Sequence, residues 1–300
     1  MKAIRSMTLI LLALTAGCSD IDRLANTDSG DTTAASAYPD AEISTAGLLS
    51  AFYGLDDAIP FIASYRICGE FGHSDGMPAI FATEVDTSTV EAGDFLVTLA
   101  DGQEVSVGCV TPAPAADPGE LRTMLLIGDF GSINNQPITV TVTGNVMSLD
   151  QQVNYRGSTI EVTALEAGPT LILAEPVSED EWDLGKEATS LPFGGGDSCP
   201  ASTRQVIRAV WRGGITKPGG DEIGDLERSA YRVITIDEDG TESVVAPFAI
   251  GDLGDGDNNH ELCLDTEARV IRVEFPADLM TDPREDLNPA TSVTVLSGAP

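Results

Sequence analysis

Basic side chains are scarce in this sequence. Lys and Arg together number 16 against 48 Asp and Glu, for a formal net charge of −32. A surface of that sign repels nucleic acid and draws cations. Nucleic acid is therefore excluded as a partner on charge alone. Histidine is scarcer, at two residues, and the five cysteines contain no Cys-x-x-Cys pair, so the usual zinc spacings are missing. No Gly-x-Gly-x-x-Gly and no Walker-type stretch offers a phosphate loop. No apolar run approaches the roughly 20 residues that a membrane-crossing helix needs. Yet 42% of residues are apolar, too many for a disordered acidic chain, so a core forms and the excess acid lies outside it.

What is present starts with Lys2 and Arg5, followed by a brief apolar run from Met7 to Leu14. The run is too short to span a bilayer and reads as a secretory signal. The residues Thr15-Ala16-Gly17-Cys18 resemble the processing box of bacterial lipoproteins, with Thr15 where that family usually has Leu. The resemblance implies cleavage before Cys18, removal of residues 1–17, and acylation of the Cys18 thiol. Each buried CH₂ of the acyl chains would contribute about 0.8 kcal/mol to membrane binding. Ser19 at the next position implies an outer-membrane address, with the membrane as partner through the lipid anchor. Residues 18–42 are small, polar and acidic without a period, and read as a flexible tether.

Four cysteines remain: Cys68, Cys109, Cys199 and Cys263. An even number in an exported chain points to disulfides, with three pairings possible. The nearest-neighbour pairing, Cys68 with Cys109 and Cys199 with Cys263, fits a two-domain layout.

Leu48, Leu49, Phe52 and Leu55 are spaced for one face of a helix, with Ser44 or Thr45 as cap and Gly54 as its end. One short helix is expected there. Beyond Pro60 the period is two. Ile138, Val140 and Val142 alternate with Thr139, Thr141 and Thr143, and Ile160 and Val162 with Thr159, Glu161 and Thr163. Val105, Val107 and Cys109 share one side of another run. Such alternation marks half-buried antiparallel strands, and Asp101-Gly102 marks a hairpin between two of them. The acidic, then Gly-rich stretch near 185–198 reads as a domain boundary. Past it, Ile207, Ala209 and Trp211 alternate with Val206, Arg208 and Val210. Ile271, Val273 and Phe275 alternate with Arg272 and Glu274, and Asp239-Gly240 marks a second hairpin. The expected fold is mainly β: two β-sandwich domains, over residues 43–185 and 195–300, with one short N-terminal helix.

Residues 77–146 resemble the bacterial Ig-like modules of S-layer and other surface proteins. The resemblance rests on Phe81, on Glu84-Val85-Asp86, on Ser88-Thr89-Val90, on Phe95 and on the later "QPITVTVTGNV". It implies a sandwich serving as a spacer or adhesive unit, with a protein or glycan as its partner, and implies no catalysis.

Two stretches carry candidate chemistry. In "GHSDG", residues 72–76, the pattern is that of a hydrolase nucleophile elbow around Ser74. An elbow needs a helix after the serine and a histidine base, whereas "MPAIFATEVD" follows and only His73 and His260 are available. A polar connection is the expected structure. The better candidate is "GDLGDGDNNHE", where Asp252, Asp255, Asp257 and Asn259 set hard oxygens at short intervals on a Gly-rich loop. Calcium takes six to eight such oxygens. The spacing does not fit an EF-hand, since His260 and Thr266 stand where Gly and Glu are required, so an irregular calcium loop is expected, with Asp221, Glu222 and Asp225 as further donors. The preferred reading is an envelope lipoprotein acting as a binding, adhesion or structural module. The alternative is an exported hydrolase using Ser74 or a carboxylate pair, and a concave polar pocket with convergent titratable groups would distinguish it.

Overall fold

The computed structural model describes residues 41–59, 65, 68–69, 74–187, 196–254 and 256–296. Cys18, the signal and nearly all of the tether lie outside these. Strand accounts for 42% of the structure and helix for 7%, so the chain is mainly β. Among the described residues no helix is long and apolar enough to cross a membrane.

The first half comprises β1 (Glu42–Ile43), β2 (Leu48–Phe52), β3 (Asp75–Phe81), β4 (Phe95–Leu99), β5 (Glu104–Ser106), β6 (Cys109–Thr111), β7 (Thr123–Gly128), β8 (Pro137–Val142), β9 (Val153–Asn154) and β10 (Thr159–Thr163). Eight of these form one sheet in the order β5-β4-β8-β10-β2-β3-β7-β6. Its outermost strands, β5 and β6, are separated in sequence by Val107 and Gly108 alone, so the sheet must fold back on itself. The run read from the sequence as one strand, Val105 to Cys109, is in fact the crossing between the two edges. Strand β10 is the fold line: Thr159–Glu161 pair antiparallel with β8, and Val162–Thr163 pair parallel with β2. Between the two leaves lies one core, with Met77, Phe81, Met124 and Leu126 from one side and Phe95, Val97, Val140 and Val142 from the other.

The short helix expected at residues 48–55 is not there. Leu48–Phe52 is strand β2, paired on both sides and almost wholly buried. An apolar run this short matches a helical face and a two-sided buried strand equally well, and the partners on either side decide. The two sequence hairpins form as expected: β4 and β5 flank Gly102 (φ 85°), whose N–H donates to the Leu99 carbonyl at 2.9 Å.

The segment carrying the Ig-like resemblance has a definite local role. Asp86 caps a single 3-10 turn, Thr87–Thr89, its Oδ1 accepting from Ser88 N at 3.1 Å and Ser88 Oγ at 2.6 Å. Thr89 Oγ1 in turn accepts from Met147 N at 3.1 Å. The turn pins the rim, and the Phe81 and Phe95 rings meet edge to face beneath it at 6.4 Å.

The second half holds β11 (Thr170–Pro176), β12 (Gln205–Arg212), a short helix α1 (Asp225–Ala230), β13 (Arg232–Ile236), β14 (Glu242–Val245), β15 (Ala249–Gly251), β16 (Asn259–Leu264), β17 (Arg269–Phe275) and β18 (Thr291–Thr294). They form two four-stranded sheets, β11-β12-β16-β15 and β14-β13-β17-β18. One core joins them, with Ile207, Ala209, Trp211 and Leu262 facing Tyr231, Val233, Val273 and Phe275. By sheet membership β11 belongs to this half, upstream of the boundary expected near 185–198. A β-bulge corrects the reading of β17: pairing with β13 shifts between Ile234 and Thr235, so Val270 rather than Ile271 joins Val273 and Phe275 in the core.

Both disulfides form in the nearest-neighbour pattern, Cys68 to Cys109 and Cys199 to Cys263. The halves also touch. The outward face of β11 and β12 presents Leu173 and Val210 to Ile80 of β3, and Arg212 Nη1 donates to Thr163 Oγ1 at 2.9 Å. Arg122 pairs with Glu175 and donates to the Ala82 carbonyl at 3.0 Å.

Candidate functional site

At one end of this seam the loop between β6 and β7 meets the loop after β15. The first carries Asp117-Pro118-Gly119-Glu120. Proline followed by a glycine at φ 90° is the arrangement of a type II turn, closed by Glu120 N donating to the Asp117 carbonyl at 3.1 Å. The turn puts a carboxylate at each of its ends. Gly119 is needed there for a second reason: a Cβ would stand 2.5 Å from Arg208 Nη1.

The second loop carries Asp252, held in the left-handed region at φ 63°, which aspartate tolerates better than most residues. Its N–H donates to the Asp197 carbonyl at 2.7 Å. Carboxylate oxygens of Asp117, Glu120 and Asp252 lie within 4.8 Å of one another. They open on a cleft of about 320 Å³ whose lining includes Arg208, Glu261, Lys186 and Asp183.

Arg208 projects from β12 on the face opposite Trp211. It donates from Nη1 to the Gly119 carbonyl at 2.9 Å and from Nη2 to Glu261 Oε1 at 3.1 Å. Lys186 is engaged by Asp183 at 2.7 Å. The three carboxylates face one another, and Arg208 and Lys186 act on them through charge while spending their hydrogen bonds on other partners. Burial, with the charges of Asp257 and Asp252 behind it, pushes the Glu120 carboxyl well above its ordinary range. Burial and Asp252 raise Asp117 as well. Glu261 is raised by burial, which its partner Arg208 opposes. Such a group can hold one hard cation, or share a proton between Glu120 and Asp252.

Of the four residues expected as a calcium loop, two take different places among the described residues. Asp252 turns into the cleft, and Asp255 lies outside the described residues. Asp257 accepts from Asn259 at both oxygens, from N at 2.8 Å and from Nδ2, in a buried turn that leads into β16. Asp257 still acts on Glu120 through its charge. Of the further donors, Glu222 comes close: Gly254 N–H donates to it and the Asp252 charge is felt there, while burial raises its carboxyl. Asp221 and Asp225 instead pair with Lys217 and Arg228.

Asp117 and Glu120 were missed by the sequence reading. The available signal was Asp-Pro-Gly-Glu, a turn that sets two acids on one side, but nothing local says that Asp252 meets them. Ser74 has no elbow: β3 begins at the next residue, so a strand stands where the helix amides of an oxyanion site would be. Asp75 is tied instead, accepting from Asp57 N at 2.8 Å and from Phe130 N at 2.5 Å. His73 lies outside the described residues. His260 is sealed in the second core, where Tyr231 meets its Nδ1 at 2.7 Å. No protein-family model matches this chain, and no curated protein matches it.

Proposed function

We propose that this chain is a lipid-anchored protein of the cell envelope, acting as a binding, adhesion or structural module built from two Ig-like β-sandwiches. The closure of all four remaining cysteines into two disulfides carries the reading. Such bonds persist in oxidising compartments, outside the cytosol. The processing box at Cys18, the acidic tether and the anionic surface support it from the sequence. So does the folded-over sheet of the first half, whose capped turn at Asp86 falls on the Ig-like segment. In this reading the lipid holds residue 18 at an outer membrane, the tether provides reach, and the paired sheets present loops to a protein or glycan. Metabolic labelling with an alkyne-palmitate tests it. The wild-type chain is expected to take up label and sediment with membranes, and Cys18→Ala to lose both. An unlabelled wild-type chain ends the reading.

The cleft favours a second reading, an exported hydrolase using a carboxylate pair. It is concave and polar, and burial raises the Glu120 carboxyl beside Asp252, the direction a general acid requires. Hydrolysis of nitrophenyl glycosides, abolished by Glu120→Gln, would establish it. A chain inactive on a broad panel removes it.

A further inference from the structure

Glu120 is 1% exposed, and its Oε2 has no hydrogen-bond partner. The same is true of Asp252 Oδ2, which faces it. A buried acceptor left unmet costs about 1–3 kcal/mol, and more when charged. Arg208 acts on Glu120 through its charge, but its terminal nitrogens hydrogen-bond elsewhere, to the Gly119 carbonyl and to Glu261. A small cation able to meet several oxygens at once would satisfy both carboxylates together.

The spacing specifies it further. The three carboxylates of Asp117, Glu120 and Asp252 each offer an oxygen within 4.8 Å of the others. Oxygens no farther apart than this can all reach one ion at calcium–oxygen distances of about 2.3–2.6 Å with at most a small side-chain adjustment. Magnesium dehydrates reluctantly and is usually held by only one or two carboxylates, so a site of three suits it less well. The cleft is open on one side, which admits the waters that would complete a shell of six to eight oxygens.

We propose that Asp117, Glu120 and Asp252 bind one divalent cation of the calcium class, and that the ion clamps the two β units together. Two ligands come from the β6–β7 loop of the first unit and one from the β15–β16 loop of the second. The ion therefore closes the seam beside Arg208, at a point where the protein alone sets like charges face to face. Without it those charges push the loops apart. This inference does not depend on the envelope reading, and the two fail separately: a chain without lipid can still bind calcium here, and a lipidated one can fail to.

The full chain, stripped with a chelator and returned to buffer, is melted with and without calcium chloride, and bound ion is counted by equilibrium dialysis with radioactive calcium. One ion per chain is expected, half-saturating at roughly 10⁻⁴–10⁻³ M as in extracellular modules. The melting temperature is expected to rise by about 5 °C or more at saturation, and magnesium to give a smaller rise. Asp117→Asn and Asp252→Asn should each lose the calcium response. Each should also melt higher than the wild type when metal is absent, because a repelling charge has gone. That reversal of sign shows that the variants fold. A wild-type chain that neither binds calcium nor changes its melting at about 10 mM overturns the proposal. So does a calcium response that survives in the Asp117→Asn, Asp252→Asn double variant.

Discussion

Arg208 Nη1 donates to the carbonyl oxygen of Gly119 at 2.9 Å, across the seam between a strand of the second unit and a turn of the first. The contact exists because position 119 has no side chain. An added Cβ would lie 2.5 Å from one guanidinium nitrogen and 2.6 Å from the other, on a backbone at φ 90°.

Gly119→Ala is accordingly expected to destabilise the chain by about 2 kcal/mol, through the left-handed backbone and the displaced guanidinium together. Urea unfolding should show a lower midpoint at unchanged slope. A midpoint equal to the wild type would mean that Arg208 swings away at no cost.

Arg208 itself lies among acids. Burial works against its charge, but Glu120, Glu261, Glu175 and Asp252 outweigh that and hold it protonated. Its pair with Glu261 is nearly closed to solvent, at 5% and 10% side-chain exposure. Arg208→Met leaves the glutamate buried without its counter-charge, and a loss of about 3–5 kcal/mol is expected. Adding Glu261→Gln should restore much of it. Equal stability of the single and double variants would remove the pairing from the account.

His260 sets an acid limit on the second core. Trp211 Nε1 donates to the Tyr231 hydroxyl at 2.8 Å, and that hydroxyl shares a hydrogen bond of 2.7 Å with His260 Nδ1. Burial lowers the His260 pKa from 6.5 to about 3. The unfolded chain therefore binds a proton near pH 6.5 that the folded chain refuses until far lower. This contribution to stability is complete above pH 6.5 and falls as the pH drops towards 3. At pH 5 the loss is about 2 kcal/mol. Unfolding midpoints between pH 7.5 and about 4.5 should fall more steeply for the wild type than for His260→Gln. Parallel profiles would show that the imidazole is protonated in the fold.

Each disulfide closes a long loop, with sequence separations of 41 and 64 residues. Opening either by paired Cys→Ser substitution is expected to cost about 4 kcal/mol in the loop-entropy account. The Cys199–Cys263 bond is fully buried and lies against Val177 and Val206. It should resist dithiothreitol in the native chain and yield only with denaturant, as followed by thiol alkylation and mass spectrometry. Rapid alkylation of Cys199 in the folded chain would contradict that.

Much of the fold could be read from the residues. The alternation of Ile207, Ala209 and Trp211 with Val206, Arg208 and Val210 separates two faces correctly, one on the second core and the other carrying Arg208 and Val210 to the seam and Val206 to the Cys199–Cys263 disulfide. The hairpins at Gly102 and Gly240 follow from Asp-Gly alone. Three features were not legible, each for a tertiary reason. Leu48–Phe52 is a strand because β10 and β3 pair with it, not because of its own period. Ile271 loses its place in the core to a bulge set by the partner strand. Asp252 was visible as a candidate ligand, but its companions Asp117 and Glu120 are brought to it only by the docking of one unit on the other. Asp257 and Asn259, equally visible, use their polar groups on each other.

The placement of β2 has a mechanical consequence. Tension applied from the N-terminal side of residue 41 loads first the two-residue ladder of β1 with β9, which gives way easily. It then reaches a strand gripped on both flanks, parallel to β10 and antiparallel to β3, at the middle of the largest sheet. Such a strand cannot be peeled from an edge one bond at a time. A pull along residues 18–42 would therefore be borne by several backbone bonds at once, with the short β1–β9 ladder yielding before the sheet does.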